Sequence, residues 1–465
     1  MPSLITNIQL FLIATIAKVL YYSIRLIGLG GGTSLPGIIV EKYFPSILSS
    51  INKNLDQIII ISGTNGKTTT RALLVSIYES MGVPVCTNRG GANIMRGIAT
   101  SLLLNLNWKN QPRSRTVILE VEEATLPILT KYLPADQIIL TNIFRDQLDA
   151  YGEIDSTLEF FREAIYNSRI IKGDKVQVVA NLDDTKLLTA LDQFQIPIIG
   201  FGVSDNNYPR PNFETTELRP VVKIKSRFVA QNIVFKPLKS TFIINASGVE
   251  IAINARLLGI YNIYNIAAAV AASFAKFDQK IIPAISKFQP VFGRGEVINT
   301  GTNSLQLFLV KNPAGFAQTL DLINSNPGSS TSKALVIKDS KPRPKPKKDP
   351  KTPKLNLAIF INDDIADGRD VSWLWDTQFE NYNLELNFDT IYTSGSRGLD
   401  MLLRLEYAGF QVESSNYEMY TSNLIKKILE SNQDFVICAT YTAMLELRGY
   451  LQHKFKLNKI SDRGY

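Results

Sequence analysis

The sequence has few of the residues that build metal centres and disulfide frameworks. Its 465 residues include two cysteines, Cys86 and Cys438, and one histidine, His453. Two cysteines form neither a disulfide framework nor a four-ligand zinc site. A nucleophilic cysteine needs a base beside it, and nothing around Cys86 or Cys438 indicates such a site. This scarcity fits a protein of a reducing cytoplasm.

A long uncharged apolar run is also missing. Residues 1–29 are strongly apolar, but Asn7, Gln9, Lys18 and Arg25 interrupt them, so no run reaches the roughly 18 uncharged residues typical of a transmembrane helix. No small-residue cleavage site follows a short apolar core, as a signal peptide requires. Lys18 and Arg25 share one helical face, which favours a helix lying on a membrane surface. A helix packed on the body of the protein explains the pattern equally well.

Outside one segment, the sequence carries little excess positive charge. The net charge is +8, and the segment Lys341–Lys354 (KPRPKPKKDPKTPK) supplies +6 of it from six lysines, one arginine and one aspartate. The rest of the chain therefore lacks the basic surface typical of nucleic-acid-binding proteins, and no nucleic-acid partner is expected. The prolines predict a solvated loop that leans towards polyproline II. We interpret the loop as a tether, with a contact to anionic lipid or a partner as the alternative.

What the chain does contain is typical of a multidomain globular protein. It is 45% hydrophobic and 20% charged, and its length predicts two or three domains. We expect an N-terminal apolar or amphipathic helix and lead-in over residues 1–54. A central domain follows over residues 55–298, with a β-rich excursion at 203–255. A smaller Rossmann-like domain should cover residues 299–465, interrupted by the basic Pro-rich loop at 339–354.

The pattern of apolar runs predicts an α/β fold. Short continuous apolar runs are typical of buried parallel strands, and in the central domain they cover Gln57–Ser62, Val117–Val121, Gln137–Leu140 and Val176–Ala180. Helical patterns alternate with them, which predicts a mostly parallel, doubly wound sheet. The second domain repeats this alternation, with predicted helices at residues 396–407 and 440–450.

The strongest functional signal is the segment GTNGKTT, which comprises Gly63, Thr64, Asn65, Gly66, Lys67, Thr68 and Thr69. It follows an apolar strand and precedes a helix, so its backbone N–H groups can surround phosphate oxygens at the positive end of that helix. In such a loop Lys67 neutralises the β- and γ-phosphates and the Thr68 hydroxyl holds Mg²⁺. We therefore predict an ATP-binding phosphate loop.

Glutamates at the end of a second buried strand are candidate metal ligands. Glu120 lies among apolar residues in the sequence LEVEE, where a carboxylate needs a cation or hydrogen bonds to compensate its burial. Mg²⁺ beside a phosphate loop is a natural compensation, although a strand-end carboxylate facing water is the alternative. Glu122 should project to the same side as Glu120, and Glu123 should face away.

These motifs resemble the central domain of the Mur ligase and folylpolyglutamate synthase superfamily. The resemblance is carried by the phosphate loop with Glu120 and by TNIFRDQLDAYGEID (141–155), NLDD (181–184), GIYNIYNIAAA (259–269) and FGRGE (292–296). Other segments resemble the MurT family of ligase subunits, namely NRGGANIMRGIATSLL (88–103), LVKNPAGF (309–316), INDDIADGRDVSWLWD (361–376), SGSRGLDMLLRLEYAGF (394–410) and TYTAMLELR (440–448). The resemblance covers nearly all of the chain past residue 30. It implies a Mur-ligase-like central domain and a MurT-type C-terminal domain.

The resemblance implies a reaction in peptidoglycan synthesis that uses ATP and Mg²⁺. ATP phosphorylates the α-carboxylate of D-glutamate in the lipid II stem peptide, and ammonia converts the acyl phosphate to D-isoglutamine. Asn262 and Asn265 are implied near the adenine, and Arg294 and Lys311 near the nucleotide phosphates. Two alternatives stay open: a Mur- or folylpolyglutamate-type ligase that adds an amino acid, and a non-catalytic nucleotide-binding scaffold.

The family also implies a partner, a separate GatD-like glutaminase that supplies ammonia within a heterodimer. An aspartate of the second domain is implied to complete the machinery near the glutaminase histidine. Asp363, Asp364, Asp367 and Asp370 crowd one segment. Asp367 is the predicted catalytic residue, with Asp370 and Asp364 as rivals, and turn or cap chemistry explains at least two of the four.

Three departures from the family pattern change what is expected. Many relatives carry a four-cysteine zinc insertion, but residues 202–235 contain no cysteine, so no zinc is expected. Gln147 stands where amino-acid-adding Mur ligases have a histidine, which argues against a second Mg²⁺ ligand there. Residues 1–54 are too few for a UDP-binding domain. We therefore expect a lipid-linked substrate at the membrane surface and a cytoplasmic protein, with a peripheral position at the inner face of the membrane as an option.

Overall fold

The computed structural model describes residues 4–27, 35–88, 92–144, 154–192, 194, 196–205, 222–236, 239–289, 293–324, 355–382, 384 and 388–455. Its α-helices in chain order are α1 (Leu4–Ile27), α2 (Leu35–Tyr43), α3 (Ile47–Asn52), α4 (Lys67–Ser80), α5 (Met95–Leu104), α6 (Leu126–Tyr132), α7 (Ile154–Lys172), α8 (Thr185–Asp192), α9 (Ile260–Phe277), α10 (Ile282–Lys287), α11 (Pro313–Asn324), α12 (Gly398–Tyr407), α13 (Thr421–Glu430) and α14 (Tyr441–Phe455).

The strands form two sheets. The first contains β1 (Gln57–Ser62), β2 (Val85–Thr87), β3 (Thr116–Glu120), β4 (Gln137–Leu140), β5 (Gln177–Asn181), β6 (Ile198–Val203), β7 (Ile224–Lys236), β8 (Lys239–Ala246) and β9 (Val249–Ala255). The second contains β10 (Arg294–Asn299), β11 (Ser304–Leu309), β12 (Leu355–Phe360), β13 (Phe388–Ser394), β14 (Tyr417–Glu418) and β15 (Phe435–Ala439).

The first sheet is mostly parallel, in the order β2-β3-β1-β4-β5-β6-β7-β8-β9. The strands from β2 to β7 in this order pair in parallel, whereas β7, β8 and β9 form an antiparallel edge within the segment predicted to be rich in strands. Ile58 and Ile60 of β1 join the core under α5, α6 and α7. Ile59 and Ile61 join the opposite core under α4 and α9. Burial on both faces explains the continuous apolar run, and the predicted doubly wound α/β class is confirmed.

The second sheet has the order β10-β11-β15-β12-β13-β14. All of its pairings are parallel except the hairpin of β10 and β11. That hairpin places residues 294–299 in the second sheet, so the predicted boundary at residue 298 falls inside one of its strands. The pairing with β11 decides this position, and a boundary near residue 293 describes the two sheets better. The basic tract lies outside the described residues.

A buried ion pair fastens the first strand of the second sheet to the last described helix. Glu296 of β10 and Arg448 of α14 lie 3.1 Å apart, and both are almost fully buried. A second contact from the Arg448 Nε atom makes the interaction multidentate. The FGRGE and TYTAMLELR motifs, far apart in sequence, thus meet in one structural contact.

The N-terminal helix packs on the central domain through one face. Leu10, Ile13, Ala14 and Ala17 join the core that also contains α5 residues. The Lys18 ammonium is buried and donates a hydrogen bond to the Leu106 carbonyl oxygen at 2.7 Å. One face of α1 therefore packs on the body of the protein, as one of the two interpretations of the sequence expected, and the Lys18 side chain is directed into the protein. Among the described residues, no helix combines the length and hydropathy needed to cross a membrane.

In both sheets, the loops that carry the predicted site residues follow the carboxyl ends of the strands. The phosphate loop, Glu120 and residues 141–144 follow the carboxyl ends of β1, β3 and β4. Lys311 follows β11, the aspartate segment follows β12, and Thr440 follows β15. Carboxyl ends of parallel strands are the usual ligand-binding edge of an open α/β sheet. The fold therefore assembles the site from segments that are distant in sequence.

Candidate active site

The phosphate loop needs glycine at two positions. Gly63 has φ of 124°, and a Cβ there would lie 2.3 Å from the Thr141 hydroxyl oxygen. Gly66 has φ of 89°, and a Cβ there would lie 2.2 Å from Oδ1 of Asn265. Positive φ and close approach each disfavour any residue with a side chain. The loop and its neighbours therefore fit together only with glycine at both positions.

The segment after β4 holds the phosphate loop in place. The Thr64 N–H donates to the Asn142 carbonyl oxygen at 3.0 Å, and the Asn65 N–H donates to Oδ1 of Asn142 at 2.9 Å. The Thr141 hydroxyl donates to the Asn65 carbonyl oxygen at 2.7 Å. The loop is thus preorganised by side chains of the TNIF sequence, and α4 begins directly after it at Lys67, with its first N–H groups at the loop.

The NLDD motif supports this arrangement from the next strand. Asp184 accepts hydrogen bonds from the Ile143 N–H at 2.7 Å and from the Leu187 N–H in the first turn of α8 at 2.9 Å. Asp183 accepts a hydrogen bond from the Tyr264 hydroxyl at 2.8 Å. The two aspartates therefore connect β5 to the loop after β4 and to α9, and both act as positioning residues.

Lys67 lies buried among carboxylates. Its ammonium donates to the Gly63 carbonyl oxygen at 2.7 Å and to Glu123 at 3.0 Å, and it lies 3.9 Å from Glu122. Burial acts to lower the pKa of Lys67, but Glu123, Glu122 and Glu120 outweigh it and hold the pKa above its usual value. Lys67 therefore stays positively charged at the position where nucleotide phosphates would arrive.

Glu123 was predicted to face away from the site, and this prediction is wrong. Strand β3 ends at Glu120, and a 3₁₀ turn over Glu123–Thr125 follows, so the two-residue alternation of a strand no longer applies. Glu122 also stays near the loop and accepts a hydrogen bond from the Asn93 side chain at 2.6 Å. Burial raises the pKa of Glu123 to about 7, although Lys67 acts to lower it.

Thr68 and Glu120 fit the role of magnesium ligands. The half-buried Thr68 hydroxyl lies 2.9 Å from Oε1 of Glu120, which gives two oxygen donors beside the phosphate loop. Mg²⁺ prefers oxygen ligands and usually combines one or two carboxylates with water and substrate phosphates. In the described part of the chain, no group of three or more His, Cys, Asp or Glu side chains is arranged to hold a metal ion. The donor set therefore suits a metal shared with a nucleotide.

Two residues that hold Glu120 were not identified from the sequence. Arg71 of α4 is fully buried and lies 3.4 Å from Oε2 of Glu120. The Asn88 amide accepts a hydrogen bond from the Glu120 N–H at 2.9 Å and donates to the Glu120 carbonyl oxygen at 2.8 Å. The sequence did contain a signal for both residues. Arg71 is a charged residue within the apolar face of α4, and Asn88 is the first residue of the NRGG motif.

Asn262 and Asn265 lie side by side on α9. Asn265 donates to the Asn262 side-chain oxygen at 3.2 Å, and Thr70 donates to Asn265 at 3.4 Å. Asn262 donates its own amide to the Leu258 carbonyl oxygen at 2.7 Å. Asn265 borders the phosphate loop directly, so the structure brings this predicted residue to the site, with Asn262 supporting it. Thr69 is buried in the first turn of α4.

A cleft separates the phosphate loop from the second sheet. Its walls include Asn65, Gly66, Tyr264 and Asn265 on one side and Phe308, Gly315 and Gln318 on the other. Asn312 crosses the gap and donates to the Asn65 side-chain oxygen at 3.3 Å. A cleft between two domains is a common place for a small-molecule site.

Arg294 and Lys311 were predicted to approach the phosphates from the hinge and the second domain, and the structure describes the side chain of one of them. Lys311 is half-buried and close enough to Glu123 to act on its pKa, so it lies at the same site. The side chain of Arg294 lies outside the described residues, as does Gln147. The role of Arg294 therefore stays a prediction.

The aspartates after β12 divide into one buried and three more accessible carboxylates. Asp367 is buried and accepts hydrogen bonds from the Thr442 N–H at 2.8 Å and from the Thr442 hydroxyl, at the start of α14. Burial raises the pKa of Asp367 despite these bonds. Asp364 and Asp370 are exposed, and bonds from the Ser372 N–H and hydroxyl lower the pKa of Asp370. Asp363 accepts a hydrogen bond from the Ser396 hydroxyl at 2.7 Å.

The comparisons with known proteins agree with this geometry. A family model of the Mur ligase middle domain matches residues 61–273, and a model of the MurT ligase C-terminal domain matches residues 347–444. The lipid II isoglutaminyl synthase (glutamine-hydrolyzing) subunit MurT of Streptococcus pneumoniae is 30% identical over 455 residues, which cover 91% of this chain and 93% of that protein. The chain belongs to the MurT family. The MurT subunit of Staphylococcus aureus strain COL is 26% identical over 82% of this chain and 84% of its own length.

Solved structures of Mur ligases share the fold of this MurT-family chain. MurF from Acinetobacter baumannii superposes with a TM-score of 0.62 at 17% identity, covering 90% of this chain and 81% of MurF. MurF from Thermotoga maritima, in complex with ADP, gives a TM-score of 0.60 at 14% identity, covering 90% and 85%. The family assignment and this fold identify the chain as an ATP-dependent ligase.

The cysteines of this MurT-family chain lack the properties of nucleophiles. Cys86 and Cys438 are both buried. Burial raises the pKa of the Cys86 thiol to about 12, and it raises the pKa of Cys438 as well. The reactive form of cysteine is the thiolate, so neither residue is suited to attack glutamine. His453 is exposed on α14.

Replacing Glu123 by glutamine should weaken the pH dependence of nucleotide binding. Glu123 ionises as the pH rises through about 7, and its carboxylate then competes with nucleotide phosphates for Lys67. ADP affinity, measured by calorimetry about one pH unit below and above that value, should fall more steeply with pH in the wild type than in E123Q. The difference is limited to about tenfold per pH unit, the value for one proton.

The matched control is Glu163→Gln, since Glu163 pairs with Lys131 at 2.9 Å on the exposed surface. This variant should keep the wild-type slope. Titration of the nucleotide itself is common to all three proteins and cancels in the comparison. Equal slopes in the wild type and E123Q would show that Glu123 does not compete for Lys67.

Proposed function

We propose that the chain is the ligase subunit that amidates the α-carboxylate of D-glutamate in the lipid II stem peptide. The product is D-isoglutamine, and the step belongs to peptidoglycan synthesis. The observation that carries the proposal is the cluster of Lys67, Thr68 and Glu120. It lies beside a phosphate loop that borders an interdomain cleft through Asn65 and Gly66, in a chain of the MurT family. The names of the relatives supply the substrate.

The chemistry requires activation of an inert carboxylate. Transfer of the ATP γ-phosphoryl group to a carboxylate oxygen gives an acyl phosphate, and ammonia attacks its carbonyl carbon. The C–N bond forms as the C–O bond to phosphate breaks, ammonia loses a proton, and ADP and phosphate are released. Phosphoryl transfer depends mainly on positioning and charge neutralisation, and the cluster around Lys67 supports both.

Each side chain of the site has a distinct part in this proposal. Lys67 and the N-terminus of α4 bind the β- and γ-phosphates, while the Glu123 carboxylate gives up its contact with Lys67. Thr68 and Glu120 would hold Mg²⁺, which neutralises phosphate charge when it is bound. Asn265 positions the nucleotide at the α9 wall. Lys311 approaches from the second domain, and we propose that it closes on the phosphates together with Arg294.

Replacing Lys67 by alanine should abolish amidation because the phosphates lose their buried counter-charge. We expect the rate with ATP, free ammonia and lipid II to fall by about a hundredfold or more, as measured by mass spectrometry of the product. Lys131→Ala, which removes an exposed lysine, is the control. Normal amidation by K67A would refute the proposal. The same assay with free amino acids in place of ammonia tests the alternative of an amino-acid-adding ligase.

The relatives of this chain are named as subunits, so a partner subunit is expected. We propose that the partner is a GatD-like glutaminase in a heterodimer. Burial of both cysteine thiols supports a separate source of ammonia. A glutaminase needs an accessible thiolate with a base beside it. The ligase subunit then receives ammonia from outside its own chain.

The purified chain should use ammonia but not glutamine. With ATP and lipid II, we expect amidation when ammonium is present and none when glutamine replaces it. Addition of the glutaminase subunit should restore the glutamine reaction. Turnover with glutamine by the purified chain, after removal of free ammonia, would contradict the two-subunit proposal.

We propose that an aspartate after β12 faces the glutaminase, and the surface position of Asp370 supports this residue over Asp367. A carboxylate that orients a partner's histidine must be accessible and ionised. Asp370 has both properties, because it is exposed and hydrogen bonds from Ser372 lower its pKa. Asp367, the residue predicted from the sequence, instead caps α14 through Thr442. Asp364 is exposed and stays a rival.

Asparagine variants separate these candidates. In the complete heterodimer, Asp370→Asn should reduce glutamine-driven amidation by about tenfold or more while leaving ammonia-driven amidation unchanged. Asp367→Asn should lower both activities together, because it weakens a helix cap. A selective loss in D367N or D364N, with normal D370N, would reassign the role to that residue. The ratio of the two activities is the deciding measurement.

We also propose that the chain works in the cytoplasm at the inner face of the cell membrane. The proposed acceptor is lipid-linked, so its stem peptide lies near the bilayer surface. A peripheral position therefore brings the interdomain cleft to its substrate. The expected absence of zinc from the central domain, which rests on the lack of cysteine in residues 202–235, stays a prediction.

A further inference from the structure

The N-terminal helix α1 has a second apolar face that points away from the protein. Opposite the packed residues, the helix exposes Ile8, Phe11, Leu12, Ile16, Val19, Tyr22 and Leu26, with exposed fractions between 41% and 88%. We call these residues the outer apolar face. Apart from the adjacent Phe11 and Leu12, they recur at intervals of three and four residues, so they form one stripe along the helix. From Ile8 to Leu26 the stripe is about 27 Å long at the usual rise of a helix.

A continuous apolar stripe of this kind is unusual on a protein surface that is exposed only to water. Single exposed apolar residues are normal, whereas a continuous stripe marks a contact with a protein or a membrane. Packing does not explain it, because α1 is already anchored on its inner side by Leu10, Ile13, Ala14 and Ala17. The outer apolar face therefore adds nothing to the described core.

The charged residues of α1 and of the loop after α5 all have the same sign. Helix α1 and the neighbouring loop of residues 105–115 contain no aspartate or glutamate, and their basic residues are Lys18, Arg25, Lys109, Arg113 and Arg115. Arg113 lies close enough to Lys18 to interact with it electrostatically. Arg115 forms an ion pair with Asp56. The exposed Lys109 and Arg113 therefore give this border a positive charge, which complements the negative surface of an anionic bilayer.

An exposed tryptophan lies at the same border. Trp108 is 67% exposed, and the Lys18 ammonium lies 5.0 Å from the centre of its ring. Tryptophan and tyrosine with lysine and arginine beside them are typical of the membrane–water interface, because their rings are amphipathic. An apolar stripe, a basic border and an exposed indole together match an interfacial helix.

We propose that the outer apolar face of α1 docks on an anionic lipid bilayer, with the helix axis in the plane of the membrane. The apolar side chains enter the acyl boundary, while Trp108 and the exposed Lys109 and Arg113 contact the headgroups. The sequence indicated a surface helix as one option without deciding which face meets the membrane, and the burial of Lys18 leaves the outer apolar face for this contact. The proposal rests on the proposed function in one respect, since a lipid-linked acceptor gives the docking its purpose.

The test uses the full chain and vesicles of defined composition. We expect flotation with phosphatidylcholine vesicles that contain phosphatidylglycerol, and weaker flotation with phosphatidylcholine vesicles, with the difference reduced at high salt. The double variant Leu12→Gln/Val19→Gln should bind anionic vesicles about tenfold more weakly or worse, because the bilayer contact loses apolar surface. The matched control is Ile170→Gln/Ile171→Gln, which changes two exposed apolar residues of α7.

Three results would overturn the proposal. One is no flotation of the wild-type chain with anionic vesicles. Another is equal binding by the wild type and L12Q/V19Q. The third is a wild-type dimer in light scattering that becomes a monomer in L12Q/V19Q without any vesicle binding, which would assign the face to a second copy.

A separate measurement distinguishes failure of the docking from failure of the proposed function. With detergent-solubilised lipid II and free ammonia, L12Q/V19Q should amidate at the wild-type rate, since the outer apolar face is remote from the phosphate loop in sequence and lies on another element. Loss of activity on vesicle-embedded lipid II, with retained activity in detergent, links docking to substrate access. Vesicle binding without any amidation by the wild type would leave docking supported and the proposed reaction rejected.

Discussion

The parallel pairing of β1 with its two neighbours is the constraint on which the site depends. Ile61 of β1 stands opposite Glu120 of β3, and Ser62 stands opposite Leu140 of β4. All three strands therefore end at the same level of the sheet. The phosphate loop, the glutamates and the TNIF segment leave the sheet side by side, so that Lys67 meets a carboxylate and the loop meets Asn142. A shift in this register would separate these groups.

The electrostatics of the site follow from that convergence. A lysine and several glutamates share a volume with little water, where charges interact more strongly than in solvent. Lys67 keeps its charge because carboxylates surround it, and Arg71 lies against Glu120 on the other side. An arriving triphosphate exchanges one set of anionic partners for another. In the proposed mechanism, the chain therefore holds the cation for the phosphates ready before any nucleotide is present.

The second domain approaches the site with the corresponding edge of its own sheet. Lys311 and Asn312 follow β11, and Asn312 reaches Asn65 across the cleft. The Glu296–Arg448 pair anchors the strand that leads into this domain. The same edge carries the aspartates after β12. Asp367 is buried and accepts hydrogen bonds from Thr442, whereas Asp370 is exposed at the surface. One sheet edge thus serves both the proposed nucleotide cleft and the proposed partner contact.

Much of the fold followed from local pattern. The apolar run of β1 predicted a buried strand, and GTNGKTT predicted the loop and the start of α4, because both depend on neighbouring residues. The wrong prediction for Glu123 arose where the local pattern no longer applies. The alternation was extended beyond Glu120, and the sequence contains no sign that the strand ends there. The sequence left two positions open for α1, and tertiary packing decided between them for the Lys18 face, since a lysine can be buried when a carbonyl oxygen such as that of Leu106 accepts its hydrogen bond.

The sequence by itself determined the α/β class, the phosphate loop and the family, since these reside in contiguous motifs and in the periodicity of apolar residues. The tertiary structure decided which partners those motifs meet. Arg71 and Asn88 at Glu120, Glu123 at Lys67, and Thr442 at Asp367 are contacts between segments distant in the chain. Strand register, the end of a strand and the packing of helices set such contacts. None of these is fixed by the identity of neighbouring residues, because each depends on how separate elements bury their surfaces against one another.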